Sequence, residues 1–395
     1  MRCRSNSSNK AANFTVKSKL TPKVRPNVNG KRIAILGGGL AGRLLAWRLV
    51  VRNKDLDNGI TPTEIHVFEK GNLIPASHEN NKAAAFTAAA MISPLSELVA
   101  SELEIYRLGQ VSLKLWPLWL DQLDCPQHFH QQGSLVIAHP NDQSELHQFQ
   151  RDLGFKLQNE ELQQQGNCYQ ALDNQQQVAE SEPGIAKHFH QGLLLEGEAH
   201  LDSHQVLAKL VEQSQASGVQ FHQQQARELN DAELESFDLI FDCRGLGSKN
   251  NNKQKLRGVR GEVVWLESKE IKLKRPIRLM HPRYKLYVVP KPNNQFIIGA
   301  TEIESEDRSP ISLRSSMELM SALYAINPAF AEARIISQES NLRPAYLDNL
   351  PQITLSTSKT DQPVISINGL YRHGYLIGPS LINNAIDFAK QKAFL

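Results

Sequence analysis

At 395 residues, 41% of them hydrophobic, the chain is long enough to build two cores and too apolar for a fibrous or disordered protein. A formal charge of +3, from 44 basic and 41 acidic residues, argues against a dedicated nucleic-acid binder. No apolar run approaches the roughly 20 residues that cross a bilayer, so no membrane partner is expected.

Residues 1–30 hold seven Lys or Arg, no acid and no apolar signal-peptide core, so they read as a disordered basic tail outside the fold. A transit peptide or a docking arm is the alternative. The four cysteines, Cys3, Cys125, Cys168 and Cys243, form no C-x-x-C pair. Neither a zinc site nor a disulfide framework is expected, and a cytoplasmic location fits.

The stretch KRIAILGGGLAG, residues 31–42, organises the rest of the chain. An apolar run of strand character breaks at Gly37, Gly39 and Gly42 and resumes with helical spacing at Leu44, Leu45, Trp47, Leu49 and Val50. In a strand-turn-helix unit this G-x-G-x-x-G spacing allows a tight turn, a close approach of a pyrophosphate to backbone, and close packing of helix on strand. A second strand, Ile65 to Phe68, ends in Glu69, whose carboxylate suits the hydroxyls of an adenosine ribose. A plain βαβ unit with an exposed Glu69 is the competing reading.

KAAAFTAAAMISPLSE, residues 82–97, is dense in small side chains, which let either a packed helix or a flat ligand approach the backbone. Leu98 to Leu123 has the periodicity of one amphipathic helix, with Ile105, Leu108, Val111, Leu115, Trp116, Trp119, Leu120 and Leu123 on its apolar face. A strand is expected over 133–139 and a polar helix over 144–153. The glutamine-rich region after it carries little pattern. His188, His190, His200 and His204 flank a strand-like segment and read as surface histidines, not as metal ligands.

From residue 200 an α/β pattern returns. The sequence predicts a helix capped by Asp202 or Ser203 and stopped by Gly218, a short strand to His222, and an apolar strand from Phe237 to Asp242. That strand stops at Gly245 and Gly247, a second place where backbone can meet a dinucleotide. Residues 259–301 read as antiparallel strands with a turn at Pro292, Asn293 and Asn294. A helix is expected over 312–326, and residues 365–389 read as strand, glycine-rich loop and helix.

Seven segments in order now resemble one family. They are GGGLAG with Glu69, AAAFTAAAMISP, DCRGLGS, RGVRGEVV, LYVVP followed by IGATEIES, NLRPAYLDNLP, and GLYRHGYLIGP. From about residue 32 onward the chain resembles the FAD-dependent D-amino acid oxidase superfamily, and within it the glycine oxidases of thiamine biosynthesis. The resemblance implies FAD, a Rossmann-like doubly wound FAD-binding domain, and a second domain of mainly antiparallel β-sheet plus helices. The expected division is 31–125 with 198–258 and 340–395 for the first, and 126–197 with 259–339 for the second.

Carried over motif by motif, Gly37, Gly39, Gly42 and Glu69 would hold the ADP half, with Ala89, Ala90 and Met91 beside the flavin ring. Gly369, Tyr371, Arg372, His373 and Gly374 would line its pyrimidine end and the pocket. Arg343 matches the arginine that grips the substrate carboxylate, which a planar two-donor cation suits. Tyr287 matches a pocket tyrosine, and Arg372 is left between substrate and flavin. Asn341, Arg244 and the sequence Ile377-Gly378-Pro379 depart from the commoner pattern.

The activity implied is oxidative deamination of glycine or another small amino acid, with molecular oxygen as electron acceptor. The imine would pass to thiazole synthase, and self-association into a homo-oligomer stays open. Three rivals are an FAD dehydrogenase reducing a quinone, a flavoenzyme modifying an amine on a protein or tRNA, and a NAD-dependent or non-catalytic nucleotide-binding protein.

Overall fold

The computed structural model describes residues 31–54, 64–75, 82–158, 169–185, 189–251, 255–283 and 286–395. The basic tail, Cys3, Cys168, His188 and part of the glutamine-rich region lie outside them. Among the described residues, seventeen strands run in chain order. They are β1 Arg32–Leu36, β2 Glu64–Phe68, β3 Met91–Ile92, β4 Phe129–His130, β5 Ser134–Ala138, β6 Tyr169–Leu172, β7 Gly192–Leu195, β8 Ala199–Leu201 and β9 Gln220–His222. After these come β10 Leu239–Asp242, β11 Arg257–Glu267, β12 Ile277–Met280, β13 Leu286–Lys291, β14 Gln295–Gly299, β15 Arg334–Ala345, β16 Gln352–Thr357 and β17 Pro363–Asn368.

Six of them form a sheet in the order β16-β17-β10-β1-β2-β9, parallel except for the β16/β17 pair. Its central strands β1 and β10 carry unbroken apolar runs, Ile33–Leu36 and Leu239–Phe241, because the sheet is buried on both faces and has no wet side. Helix α1, Leu40–Lys54, comes directly after β1, and the helix Gly374–Gln391 packs against both α1 and α3, Leu103–Gln122.

The second sheet has eight strands, β15-β11-β14-β13-β12-β5-β7-β6, antiparallel except where β12 meets β5. Alternation along its strands divides two environments. Val264, Leu266, Leu286, Val288, Phe296 and Ile298 pack toward the helix Leu313–Ile326. Val263, Trp265, Val289 and Ile297 face the other way, onto Ala89, with Met91 and Tyr287 packed against them. A three-stranded sheet, β3-β8-β4, lies beside these two.

Several expectations are corrected. The helix expected over 98–123 is two: α2, Pro94–Ala100, and α3, separated at Ser101 and Glu102. Val111, expected on the apolar face, is 49% exposed, whereas Trp116 and Trp119 are buried as expected. Within the antiparallel run expected over 259–301, β12 and β13 pair back on each other. Asp202 stands at the helix start but makes no capping bond. Its Oδ2 instead accepts from His128 and His130, each at 3.0 Å. His200, read as a surface histidine, is 4% exposed and stacks on His130 at 4.8 Å. No grouping of His, Cys, Asp and Glu suited to a metal occurs among the described residues. None of the described helices is long and apolar enough to cross a membrane.

Candidate functional site

The glycine turn is shaped as its spacing predicts. Gly37 has φ +99°, its N–H donates to the Phe68 carbonyl at 2.8 Å, and a Cβ on it would lie 2.6 Å from the Cys243 carbonyl oxygen. Only glycine fits there, because an L side chain would meet both strain and backbone. A Cβ on Gly42 would overlap the Gly37 carbonyl oxygen, so the third glycine is what lets α1 fold back onto the turn. Glu69, at the end of β2, is buried. Its Oε2 accepts from the Gly38 N–H at 2.6 Å and its Oε1 from the Gly71 N–H at 3.0 Å.

From this turn a cavity of about 410 Å³ runs to the face of the eight-stranded sheet. Gly37, Gly39, Glu69, Ala89, Ala90, Met91, Gly245, Tyr287, Arg343, Tyr371, Arg372, His373 and Gly374 all line it. Gly42 and Gly369 do not. Gly42 acts beneath the turn, and Gly369, expected at the pocket, packs with φ +76° against Tyr346, where a Cβ would overlap that ring. The small-residue segment proves to be a cavity wall and not a packed helix. Only Ala84–Phe86 forms a helical turn before the chain extends into β3.

Arg343 enters the cavity from β15. Its guanidinium lies over Gly261 of β11, and its hydrogen bonds go to carbonyls, Thr301 O at 3.1 Å from both Nη1 and Nη2 and Arg260 O at 3.3 Å from Nη1. No carboxylate forms an ion pair with it among the described residues. Tyr287 reaches the same cavity from β13. Burial raises its pKa, with Arg343 and Arg278 opposing, so the hydroxyl keeps its proton and can donate.

Arg372 is placed differently from Arg343. Its Nε donates to Glu97 at 3.1 Å and its Nη1 to Glu302 at 2.8 Å. Two carboxylates therefore hold its charge. Glu97 also accepts from His373 Nε2 at 3.1 Å and lies 3.6 Å from Arg278 Nη2. Burial alone would raise the pKa of Glu97, but His373, Arg372 and Arg278 together hold it well below the usual carboxylate range. Glu302 accepts from the Tyr371 hydroxyl at 2.5 Å, and Tyr371 and Arg372 lower its pKa against the opposing effect of burial.

Glu97, Arg278, Glu302 and Gly261 belong to this cavity and were not singled out from the sequence. Glu97 lies within the quoted small-residue motif, but nothing in that motif marks it as the partner of an arginine 275 positions away. The three departures find local reasons. Asn341 Nδ2 donates to Lys82 O and Thr87 Oγ1, each at 3.1 Å, tying β15 to the small-residue wall. Arg244 pairs with Asp242 at 2.8 Å and Glu228 at 2.6 Å. Gly378 lets its helix approach Leu44, which a Cβ would meet at 3.0 Å.

Comparison with known proteins adds three findings. Residues 32–381 match the family described as FAD dependent oxidoreductase, DAO. A protein of Rhizobium etli, named as the thiamine biosynthesis oxidoreductase ThiO, is 35% identical over 352 residues, which are 89% of this chain and 94% of the relative. Among solved structures, glycine oxidase from Bacillus cereus superposes with a TM-score of 0.72 at 19% identity, covering 91% of this chain and 97% of that one. L-proline dehydrogenase from P. horikoshii superposes with a TM-score of 0.67 at 14% identity, covering 92% and 94%. At such identities these two structures establish the fold.

Proposed function

Because the chain belongs to the FAD-dependent oxidoreductase (DAO) family, we propose that it oxidises glycine or another small amino acid to the imine, with oxygen reduced to hydrogen peroxide. The observation that carries this reading is Arg343: a guanidinium without a carboxylate partner, in the cavity that begins at the glycine turn. The imine then serves assembly of the thiazole ring of thiamine, a role supported by the likeness to the Rhizobium etli protein.

The cavity suits FAD on its own geometry. Gly37 and Gly39 leave backbone bare beside the start of α1, whose first turn holds no acid, and helix N-termini attract phosphate. Glu69 reaches the cavity one strand over, and Ala89, Ala90 and Met91 offer a wall without bulk. In our reading Gly37, Gly39, Gly42 and Glu69 serve the ADP half. Ala89, Ala90, Met91, Gly245, Tyr371, His373 and Gly374 surround the remainder, and Gly369 supports the loop from behind. When bound, FAD supplies the two-electron acceptor.

The chain's own part is orientation. Arg343 takes the substrate carboxylate in its two-donor fork, and Tyr287 donates from the adjoining strand, so the Cα–H has one direction to face. Arg372, held by Glu97 and Glu302, closes the pocket without competing for that carboxylate. Glu97 and Glu302 are both held ionised and already hydrogen-bonded, which makes them poor proton acceptors. In this reading no side chain acts as base, so the ammonium of the zwitterionic substrate gives its proton to solvent and the amine binds and reacts in its neutral form. Anaerobic mixing of the yellow holoprotein with glycine, sarcosine and a panel of small amino acids tests this. Bleaching of the flavin band is expected, and a flavin that none of them bleaches ends the proposal.

A further inference from the structure

Arg43 breaks two local rules. It sits in the first turn of α1, where unpaired N–H groups make a positive end that disfavours a cation, and no acidic residue shares that turn. It is also only 1% exposed, and buried charges are normally paired with opposite ones. Here Nε donates to Gly38 O at 2.6 Å, Nη1 to Leu207 O at 2.8 Å and Nη2 to Leu73 O at 2.5 Å. The guanidinium lies 5.2 Å from the centre of the Phe86 ring. Among the described residues no carboxylate forms an ion pair with it. Burial draws its pKa down to about 10, with Tyr375 and Glu69 opposing, so it is still charged at neutral pH.

The carbonyl that Arg43 grips belongs to the peptide joining Gly38 to Gly39. That peptide is trans, so the Gly39 N–H projects from the side opposite the Gly38 oxygen. Gly39 lines the cavity and Arg43 does not. On the other side of Gly38, its own N–H is held by Glu69. The first cavity-facing peptide after the turn is thus clamped from behind by a cation that has no carboxylate in ion-pair contact among the described residues, Glu69 acting on it only at longer range.

We propose that Arg43 is a positioning residue for the diphosphate of the dinucleotide. It fixes the Gly38–Gly39 peptide with the N–H toward the cavity, and the diphosphate supplies the negative charge that the buried guanidinium lacks. The inference rests on the FAD reading and adds a residue that never touches the ligand. It also explains why an arginine is kept where helix electrostatics and burial both oppose one. Without a bound anion the same charge is a cost to the folded chain.

The test titrates flavin-stripped, full-length protein with ADP and with adenosine, in the wild type and in Arg43→Gln, Arg43→Met and Arg43→Lys. ADP affinity should fall about tenfold or more in the Gln and Met variants while adenosine affinity changes less than twofold. Their stripped forms should melt lower, because the carbonyls of Gly38, Leu73 and Leu207 lose their donor, so the ratio of ADP to adenosine affinity, and not stability, is the deciding readout. Arg43→Lys, which keeps the charge, should retain more ADP affinity than Arg43→Gln. If Arg43→Met does not fold, the Gln and Lys pair decides. Equal losses for ADP and adenosine would assign Arg43 a purely structural part and overturn the proposal, as would unchanged ADP binding. A wild-type chain that binds neither ligand would instead undo the dinucleotide reading itself.

Discussion

The guanidinium of Arg343 fills the space that a side chain at Gly261 would need: a Cβ there would overlap Cζ, Nη1 and Nη2. The two are diagonal neighbours across the β11/β15 pair, where Gly261 registers with Asn341 and Val259 with Arg343. Gly261 has no positive φ, so its backbone tolerates alanine, and the clash is with the movable end of a long side chain. Gly261→Ala should therefore leave the melting temperature within a few degrees of wild type yet raise KM for the amino acid by tenfold or more. Thermal melts paired with steady-state kinetics check this, and a large loss of stability with unchanged KM would contradict it.

Arg343→Ala should raise KM strongly, since losing one side of a hydrogen-bonded charge pair costs about 2 to 5 kcal/mol. Arg343→Lys should recover only part of that, because an ammonium keeps the charge but lacks the planar fork. Flavin content should stay that of the wild type in both. Equal kinetics in wild type and Arg343→Ala would remove Arg343 from the site.

Arg372→Ala should affect KM less than Arg343→Ala, by under tenfold, because Glu97 and Glu302 already pair the charge of Arg372. Side-by-side kinetics on glycine decide between them. A loss for Arg372→Ala as great as for Arg343→Ala would mean that both cations hold the carboxylate.

Lys291 provides a pH test. Its Nζ donates to the carbonyls of Ala89 at 2.8 Å and Leu201 at 2.5 Å, and burial lowers its pKa from 10.5 to about 7, with Asp202 opposing. Between those two values the unfolded chain holds a proton that the folded chain releases, so stability rises with pH across that window and the gain is absent below it. Denaturation midpoints of wild type and Lys291→Met should therefore diverge from pH 7 toward pH 10, with the wild type gaining on the order of 3 kcal/mol on the variant. Parallel profiles would show that the folded chain keeps this amine charged.

Gly42→Ala sets the new Cβ against the Gly37 carbonyl oxygen, which is backbone and cannot swing aside. The protein should purify with little or no yellow colour. Normal flavin content in this variant would mean that the turn can be rebuilt.

The range of each interaction decides whether the sequence reveals it. The turn at Gly37 to Gly42 is legible because its determinants lie within six positions and Gly37 and Gly42 each have a steric reason to lack a side chain. Glu69 is legible because it ends the strand next in sequence. Arg343 and Tyr287 carry no local mark, and only resemblance to a family singled them out. The fork between Glu97 and Glu302 that holds Arg372 joins positions scattered over nearly the whole chain, so no window of sequence contains it. Arg43 is hidden for another reason: an arginine inside a helix reads as a solvent-facing residue. Its 1% exposure becomes visible only once the carbonyls of Leu73 and Leu207 are in place around it. The split at Ser101 and Glu102 was masked because both pieces keep apolar residues at helical intervals.

The helix Gly374–Gln391 seats Leu40 and Leu44 of α1 against Gly374 and Gly378, and its Tyr375 carbonyl accepts from the Trp116 indole at 2.8 Å. Of the elements around the cavity it is the last to leave the ribosome, while the turn it closes over is the first. A nascent chain can thus expose its glycine turn long before it can enclose a flavin, and cofactor capture waits on the last of these elements.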